Sequence, residues 1–269
     1  MQISILGTGW LGLPLAEALM NKNWIIKGST TTDEKLPTLE KKKIKAYTIT
    51  LTENGPEGAI ASFLKGSELI IINIPPGLRR NPEVDFVAKI EKLIPFIEAA
   101  TIKKVLFISS TSVFADHESF PVISKETKPN ASSNAGKQLI KVEQLLQENS
   151  NFKTTILRFS GLFGSKRHPA TMLSKRENIK NPKAPVNLIH LEDCIAIIQK
   201  IITIEFWGEH FNASYPDHPE KATYYTAICK RMGLSTPDYD HKTPSKGKLI
   251  SASAIEKELA YTFSKPLDS

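Results

Sequence analysis

Short apolar runs alternate along the chain with segments in which apolar residues recur every three or four positions. The short runs predict β-strands, and the helical periodicity predicts α-helices between them. Strands are expected at residues 3–6, 24–28, 44–51, 67–74, 104–114, 154–159 and 209–214. Helices are expected at residues 57–64, 86–100, 135–148, 194–201, 223–232 and 252–259, and from residue 12 onward. This alternation indicates an α/β fold built on a doubly wound parallel sheet.

Three local features refine this pattern. The run at residues 67–74 is continuous rather than alternating, which is typical of a strand buried on both faces of a parallel sheet. Pro95 lies inside the predicted helix 86–100 and is expected to kink it or divide it in two. Residues 161–164 are expected to form a turn after the strand at 154–159.

A glycine-rich turn joins the first strand to the first helix. Gly7, Gly9 and Gly12 form a Gly-x-Gly-x-x-Gly pattern in the strand–turn–helix order that a Rossmann dinucleotide site needs. Gly7 permits a tight exit from the strand, Gly9 lets the backbone approach a pyrophosphate, and Gly12 lets the helix pack close to the sheet. The helix N-terminus, with Trp10 and Leu11, offers backbone N–H groups to the phosphates. We therefore predict cofactor binding at these five residues.

The end of the second strand indicates which dinucleotide binds. NAD sites usually carry an acidic residue there, which holds the ribose 2′-hydroxyl. Here Thr30 and Thr31 supply hydroxyls, and Lys35 follows nearby. This arrangement favours NADP, with NAD as the alternative. Asp33 comes later and is equally consistent with a simple cap of a turn or helix.

The loop after the strand at 67–74 provides further candidates. Ile74 and Pro75 begin the loop that leaves this strand, and its prolines make the loop rigid. Both residues are predicted to belong to the cofactor site. Arg79 and Arg80 follow, and guanidinium groups suit an anionic substrate. A solvated loop is the alternative interpretation of the arginine pair.

The alternation of strands and helices changes near residue 166, where the chain becomes rich in basic residues and is interrupted by prolines. We expect a dinucleotide-binding Rossmann domain at residues 1–165 and a small C-terminal substrate lobe at 166–269, with 186–204 packing back on the first domain. His190 is a candidate substrate-binding residue, with a structural role as the alternative. Asp193 near a predicted helix start suggests a cap or a partner of the helix dipole.

Composition narrows the function classes. The 269 residues carry a formal net charge of +7, which suits an anionic cofactor or substrate or simply a solvated lysine-rich face. Nucleic-acid binding is disfavoured, because the sequence contains no stripe of basic residues interleaved with aromatic residues. The two cysteines, Cys194 and Cys229, form no disulfide or zinc pattern, which favours the reducing cytoplasm. Neither a signal peptide nor a membrane-spanning segment is expected.

Several motifs together resemble the extended short-chain dehydrogenase/reductase superfamily, in its nucleoside-diphosphate-sugar epimerase and dehydratase branch. They are the glycine turn and the segments at residues 107–114, 157–164, 189–193 and 250–263. The resemblance implies a Rossmann fold, a nicotinamide dinucleotide and a small-molecule substrate, possibly anionic or a sugar nucleotide. The glycine spacing departs from the branch's usual Gly-x-x-Gly-x-x-Gly and is closer to an atypical, reductase-like subgroup.

The catalytic residues that the resemblance implies are incomplete. The family uses a Tyr-x-x-x-Lys pair and a Ser or Thr, and Ser110 matches the hydroxyl position. Alignment on Glu143 places Ala135 and Leu139 where the pair belongs. When the alignment is shifted by two residues, Lys137 takes the position of the lysine, but Ser133 takes the position of the tyrosine. Neither alignment therefore supplies the tyrosine that acts as the proton donor.

Three functions remain open. The first is an NADP-binding oxidoreductase of weak or unusual activity, or a non-catalytic cofactor binder. The second is an active epimerase or reductase that uses another acid, such as Lys137 or His190, or a group of the substrate. The third is a regulatory protein that senses NADP and acts through a protein partner.

Overall fold

A computed structural model of the chain describes residues 1–78, 81–164 and 166–268. Twelve strands occur within these residues: β1 Gln2–Leu6, β2 Ile25–Thr30, β3 Lys45–Thr52, β4 Gly55–Gly58, β5 Leu69–Ile72, β6 Lys104–Ser110, β7 Val122–Ile123, β8 Lys153–Phe159, β9 Gly161–Phe163, β10 Leu188–His190, β11 His210–Ala213 and β12 Leu249–Ile250. Nine α-helices accompany them: α1 Gly12–Met20, α2 Leu36–Lys41, α3 Ile60–Leu64, α4 Phe86–Ala99, α5 Asn134–Gln147, α6 Pro169–Leu173, α7 Leu191–Thr203, α8 Lys221–Arg231 and α9 Ser253–Glu258. Short 3-10 turns lie at Asp33–Lys35 and Thr111–Val113.

Eight strands form the central sheet in the order β11-β8-β6-β5-β1-β2-β3-β4. The pairs β1–β2, β1–β5, β2–β3 and β5–β6 are all parallel. All four residues of β5 are fully buried, as its continuous apolar run predicts. This sheet confirms the predicted doubly wound α/β fold. Its order reverses between β1 and β5, and ligands in such sheets bind outside the carboxyl ends of the strands at that reversal.

Two local predictions are wrong. Residues 57–64 were expected to be helical throughout, but Gly55–Gly58 pairs antiparallel with β3 and the helix begins only at Ile60. Gly58 has φ +94°, and a Cβ there would lie 2.2 Å from the Thr48 carbonyl oxygen, so the strand pairing requires glycine. The expected turn at 161–164 contains the strand Gly161–Phe163, which pairs in parallel with Leu188–His190.

Pro95 lies within one undivided helix, Phe86–Ala99, so the predicted division does not occur. Asp85 caps this helix by accepting a hydrogen bond from the Ala88 N–H at 3.0 Å. The apolar stripe on its buried face, which includes Phe86, Ile90 and Leu93, explains why a helix forms here.

The chain divides into two compact units. Unit 1 comprises residues 1–110, 133–157 and 201–210, and unit 2 comprises residues 111–132, 158–200 and 211–269. The domain boundary predicted at residue 165 stays a prediction. No helix within the described residues is long and apolar enough to cross a membrane.

Candidate functional site

A cavity of about 370 Å³ lies in unit 1 at the carboxyl ends of β1, β2 and β5, where the strand order reverses. Its walls come from the exits of these strands, from β3 and from the first turns of α4. The lining residues are Leu6, Gly7, Thr8, Gly9, Ser29, Thr30, Thr31, Lys35, Ile49, Thr50, Leu51, Asn73, Ile74, Pro75, Pro76, Phe86 and Lys89. This is the position that the parallel sheet dictates for a ligand.

The turn after β1 is closely packed at two of its three glycines. Gly7 has φ +99°, and a Cβ there would lie 2.5 Å from the Asn73 carbonyl oxygen. A Cβ at Gly12 would lie 2.1 Å from the Gly7 carbonyl oxygen, so glycine is required for the helix to approach the turn. The Asn73 side-chain amide donates to that same carbonyl at 2.9 Å and ties the exits of β1 and β5 together.

Gly9 differs from the other two glycines. A Cβ built on Gly9 would meet nothing within 4 Å, so no protein group requires a glycine there. Gly9 lines the cavity, and its missing side chain leaves open space on that side. This open space fits the expected approach of a pyrophosphate to the Gly9 backbone, which stays a prediction.

The end of β2 is joined to the glycine turn by hydroxyl groups. The Gly7 N–H donates to Ser29 Oγ at 2.9 Å, and Thr8 Oγ1 donates to the Ser29 carbonyl at 2.7 Å. From the sequence, Ser29 was noted only as part of the hydroxyl-rich stretch that favours NADP, and Asn73 was not predicted as part of the site. A serine at the strand end was visible in the sequence, but its partner lies 22 residues away.

The charged residues of the cavity are both basic. Lys35 and Lys89 line it, and no aspartate or glutamate lines it among the described residues. Asp33 is occupied elsewhere, because its carboxylate accepts a hydrogen bond from the Thr48 hydroxyl. Sequence analysis predicted Lys35 but missed Lys89, which comes from the first turns of α4 and lies far from the glycine turn in sequence.

The other predicted cofactor residues divide into two groups. Thr30, Thr31, Ile74 and Pro75 line the cavity beside Gly7 and Gly9. Trp10, Leu11 and Gly12 do not line it; Leu11 and Gly12 are buried at the start of α1, with Leu11 at its N-cap position. Their backbone contact with a cofactor stays a prediction.

The structure places Ser110 at the carboxyl end of β6, where it is half-buried. Ser133 is the N-cap of α5 and accepts a hydrogen bond from the Gly136 N–H at 3.2 Å. Lys137 is an exposed residue in the first turn of that helix, while Leu139 is buried with 3% exposure. Glu143 is also buried and accepts a hydrogen bond from Ser109 Oγ at 2.6 Å.

A phenolic acid is missing from unit 1 near these residues. Tyr47 is the one tyrosine of the unit, and it packs edge-on against Phe63 with ring centroids 5.6 Å apart. It does not line the cavity. The roles of Ser110 and Lys137 therefore stay predictions, and Ser110 lacks the tyrosine partner that the family normally provides.

His190, predicted to bind substrate, is not among the residues that line this cavity. His190 belongs to unit 2, where it is buried with 8% exposure and packs edge-on against Phe163 at 5.1 Å. Burial lowers its pKa below the ordinary value, against the opposing effect of Glu192 and Asp193. Arg79 and Arg80 lie outside the described residues.

Comparison with known proteins identifies the family of the chain. The profile of an NAD(P)H-binding family matches residues 7–189. Protein YeeZ of Escherichia coli (strain K12) is 30% identical over 272 residues, which cover 98% of this chain and 96% of that protein.

Two solved structures share the fold. One is MoeE5 in complex with UDP-glucose and NAD, at 16% identity and TM-score 0.79, covering 100% of this chain and 95% of that chain. The other is a short-chain dehydrogenase/reductase superfamily protein from Agrobacterium tumefaciens with bound NAD. Its identity to this chain is 17% and the TM-score is 0.79, and the match covers 100% of this chain and 94% of that chain. The chain therefore belongs to the NAD(P)H-binding family, and it has the fold of these two structures.

Proposed function

We propose that the protein binds NADP(H) in preference to NAD(H) and acts as an atypical oxidoreductase of weak activity or as a non-catalytic cofactor binder. The charge of the unit 1 cavity supports this preference. Lys35 and Lys89 line it without a carboxylate among the described lining residues. A 2′-phosphate gains from both ammonium groups, whereas a ribose 2′-hydroxyl finds no acidic acceptor.

The residues present fit such a cofactor. The open face of Gly9 would accommodate the pyrophosphate, and the α1 N-terminus would offer it backbone N–H groups. Thr30 ends β2, the strand end that faces the adenosine ribose in this fold, and Thr31, Lys35 and Lys89 line the same cavity. When bound, the cofactor supplies hydride-transfer chemistry. Two buried cysteine thiols, Cys194 and Cys229, fit the cytoplasm as the location.

Calorimetric titration with NADPH and NADH tests the preference. We expect NADPH to bind more tightly, and Lys35→Met and Lys89→Met each to weaken NADPH binding about tenfold while leaving NADH binding unchanged. Lys92→Met is the matched control, because Lys92 is an exposed lysine on α4 outside the cavity. Tighter binding of NADH by the unaltered protein would contradict the proposal.

An active reductase or epimerase is the second candidate, and the position of Ser110 favours it. Its half-buried hydroxyl ends β6, the strand next to β5. There it can donate a hydrogen bond to the carbonyl of a small, possibly anionic, substrate. The proton must then come from a group other than a tyrosine, such as Lys137 or the substrate itself.

Loss of the Ser110 hydroxyl separates the two candidates. If the protein turns over a carbonyl or nucleotide-sugar substrate, Ser110→Ala should lower the rate by about 10- to 1,000-fold, the range for one positioned donor. NADPH affinity should stay unchanged, which calorimetry on the same preparation checks. A full rate in Ser110→Ala would remove Ser110 from the mechanism. No turnover in either protein, with NADPH still bound, would leave the non-catalytic binder and the NADP sensor.

A further inference from the structure

The start of α4 is held by a side chain that comes from α5. Gln138 Oε1 accepts a hydrogen bond from the Phe86 N–H at 2.7 Å, and Gln138 Nε2 donates to the Val84 carbonyl at 3.2 Å. Phe86 is the first residue of α4, and Val84 lies just before the helix cap. The two ends of one amide group therefore bracket the beginning of this helix.

The orientation of the Gln138 amide is fixed by its partners. A backbone N–H can only donate and a carbonyl oxygen can only accept, so a reversed amide would place donor against donor and acceptor against acceptor. Gln138 Nε2 also donates to Asn134 Oδ1 at 3.3 Å, one turn earlier in α5. The side chain is half-buried between the two helices. These bonds together make Gln138 a specific clamp on the start of α4.

Two carboxylates complete the hold on this segment. The Asp85 N–H donates to Glu53 Oε1 at 2.7 Å, and the Ala88 N–H donates to the Asp85 side chain at 3.0 Å. A helix leaves its first N–H groups without partners inside the helix. Gln138 provides an acceptor for the first of them in α4, and the Asp85 cap provides another. The first turn of α4 therefore depends on side chains for its position.

This clamped turn forms part of the wall of the unit 1 cavity. Phe86 and Lys89 both line the cavity. Residues three apart are neighbours on one face of a helix, so the placement of Phe86 also determines that of Lys89. The Lys89 N–H donates to the Asp85 carbonyl at 3.3 Å and closes the same turn. A displacement of this turn would therefore move an ammonium group of the cavity.

We propose that Gln138 is a positioning residue of the unit 1 cavity, which fixes the first turn of α4 so that Lys89 can pair with the 2′-phosphate of NADP(H). The inference rests on the proposed NADP preference. Because the lysine side chain is long and flexible, a fixed backbone position reduces the freedom that is lost when its ammonium group pairs with a phosphate. The start of α5, where the family resemblance expects a Tyr-x-x-x-Lys pair, thus serves the site by holding a wall of the cavity.

Calorimetric titration of Gln138→Met tests this role, because methionine has a similar length but lacks the amide donor and acceptor. We expect NADPH to bind about threefold to tenfold more weakly and NADH to bind unchanged. In a Lys89→Met background, Gln138→Met should have no further effect, since changes that act through one contact are not additive. Gln144→Met, at an exposed position of α5, is the matched control and should leave both affinities unchanged.

Amide exchange tests the clamp without any ligand. Gln138→Met should accelerate exchange of the Phe86 N–H, because the acceptor of that group is removed. Gln138→Glu keeps an acceptor oxygen and should preserve most of the protection. Unchanged exchange in Gln138→Met would show that the side chain does not hold the turn, and would overturn the inference.

The binding results separate this inference from the proposed function. If Lys89→Met leaves NADPH binding unchanged, both are wrong. If Lys89→Met weakens NADPH binding and Gln138→Met does not, the proposed function stands and the role of Gln138 is wrong. Equal losses of NADPH and NADH affinity in Gln138→Met, or a loss that is the same with and without Lys89, would show a merely structural role and would also overturn the inference.

Discussion

The three glycines of one short motif have different physical roles. Gly7 and Gly12 are required by the protein itself, since a Cβ on either would collide with a backbone carbonyl oxygen. Gly9 meets no such obstacle, and we predict that a ligand needs its open face. A motif that looks uniform in sequence thus combines two packing positions with one position that we predict to bind a ligand.

Substitution by valine should separate these roles. We expect Gly12→Val to lower the free energy of unfolding by about 1–3 kcal/mol, the usual range for overpacking against a fixed neighbour. Gly9→Val should keep the unaltered stability but abolish dinucleotide binding, because the side chain fills the open space. Denaturant unfolding and NADPH calorimetry on both variants provide the measurements. Undiminished NADPH binding by Gly9→Val would refute the assignment of the pyrophosphate.

At the scale of elements, the C-terminal segment of unit 2 is anchored by one buried carboxylate. Asp193, in the first turn of α7, is fully buried and accepts hydrogen bonds from Tyr261 Oη at 2.6 Å and from the Ser264 N–H and Oγ, each at 3.0 Å. The Lys265 N–H donates to its other oxygen at 3.2 Å. Burial, together with this carboxylate, raises the pKa of Tyr261, which keeps the phenol protonated as a donor. Asp193 therefore holds a distant segment, which its position at a helix start did not reveal.

Removal of this anchor should loosen the C-terminal segment. Asp193→Ala leaves buried donors without an acceptor and should lower the free energy of unfolding by about 2–3 kcal/mol. Amide exchange at residues 260–268 should accelerate. Glu192→Ala is the neighbouring control, because it removes only a partly exposed ion pair with Lys265 and should cost less than about 1 kcal/mol. Equal losses in the two variants would show that Asp193 acts only through its charge.

At the scale of the whole molecule, stability depends on histidines that are kept neutral. Burial lowers the pKa of His168, His190 and His218, all in unit 2. His168 shows the structural reason. Its Nδ1 accepts from the Ala170 N–H at 3.1 Å, so Nε2 carries the proton and donates to Tyr224 Oη at 3.1 Å. A second proton on this ring would break the bond to Ala170.

These shifts predict a loss of stability in mild acid. Below the ordinary histidine pKa of 6.5 the unfolded chain binds protons that the folded histidines do not, so the free energy of unfolding falls as the pH decreases. Denaturant unfolding from pH 8 to pH 5 should show this decline beginning near pH 6.5. His168→Gln should reduce the slope, and His241→Asn, at an exposed histidine, should not. A stability that rises between pH 7 and pH 5 would contradict the predicted direction.

Local sequence pattern determined the elements and the cofactor class. The continuous apolar run of β5, the periodicity of α5 and the glycine turn at residues 7–12 each depend on neighbours within a few positions. Burial of such runs is favourable in any parallel sheet, which is why the doubly wound fold could be predicted from them.

Tertiary structure alone decided which polar groups meet. Asn73 reaches the Gly7 carbonyl across 66 residues, and Tyr261 reaches Asp193 across 68. The pairing of Gly161–Phe163 with Leu188–His190 and the presence of Lys89 in the unit 1 cavity arise in the same way. Hydrogen bonds and charges act over a few ångströms in space, and a pattern read along the chain does not contain the distances between segments that folding brings together.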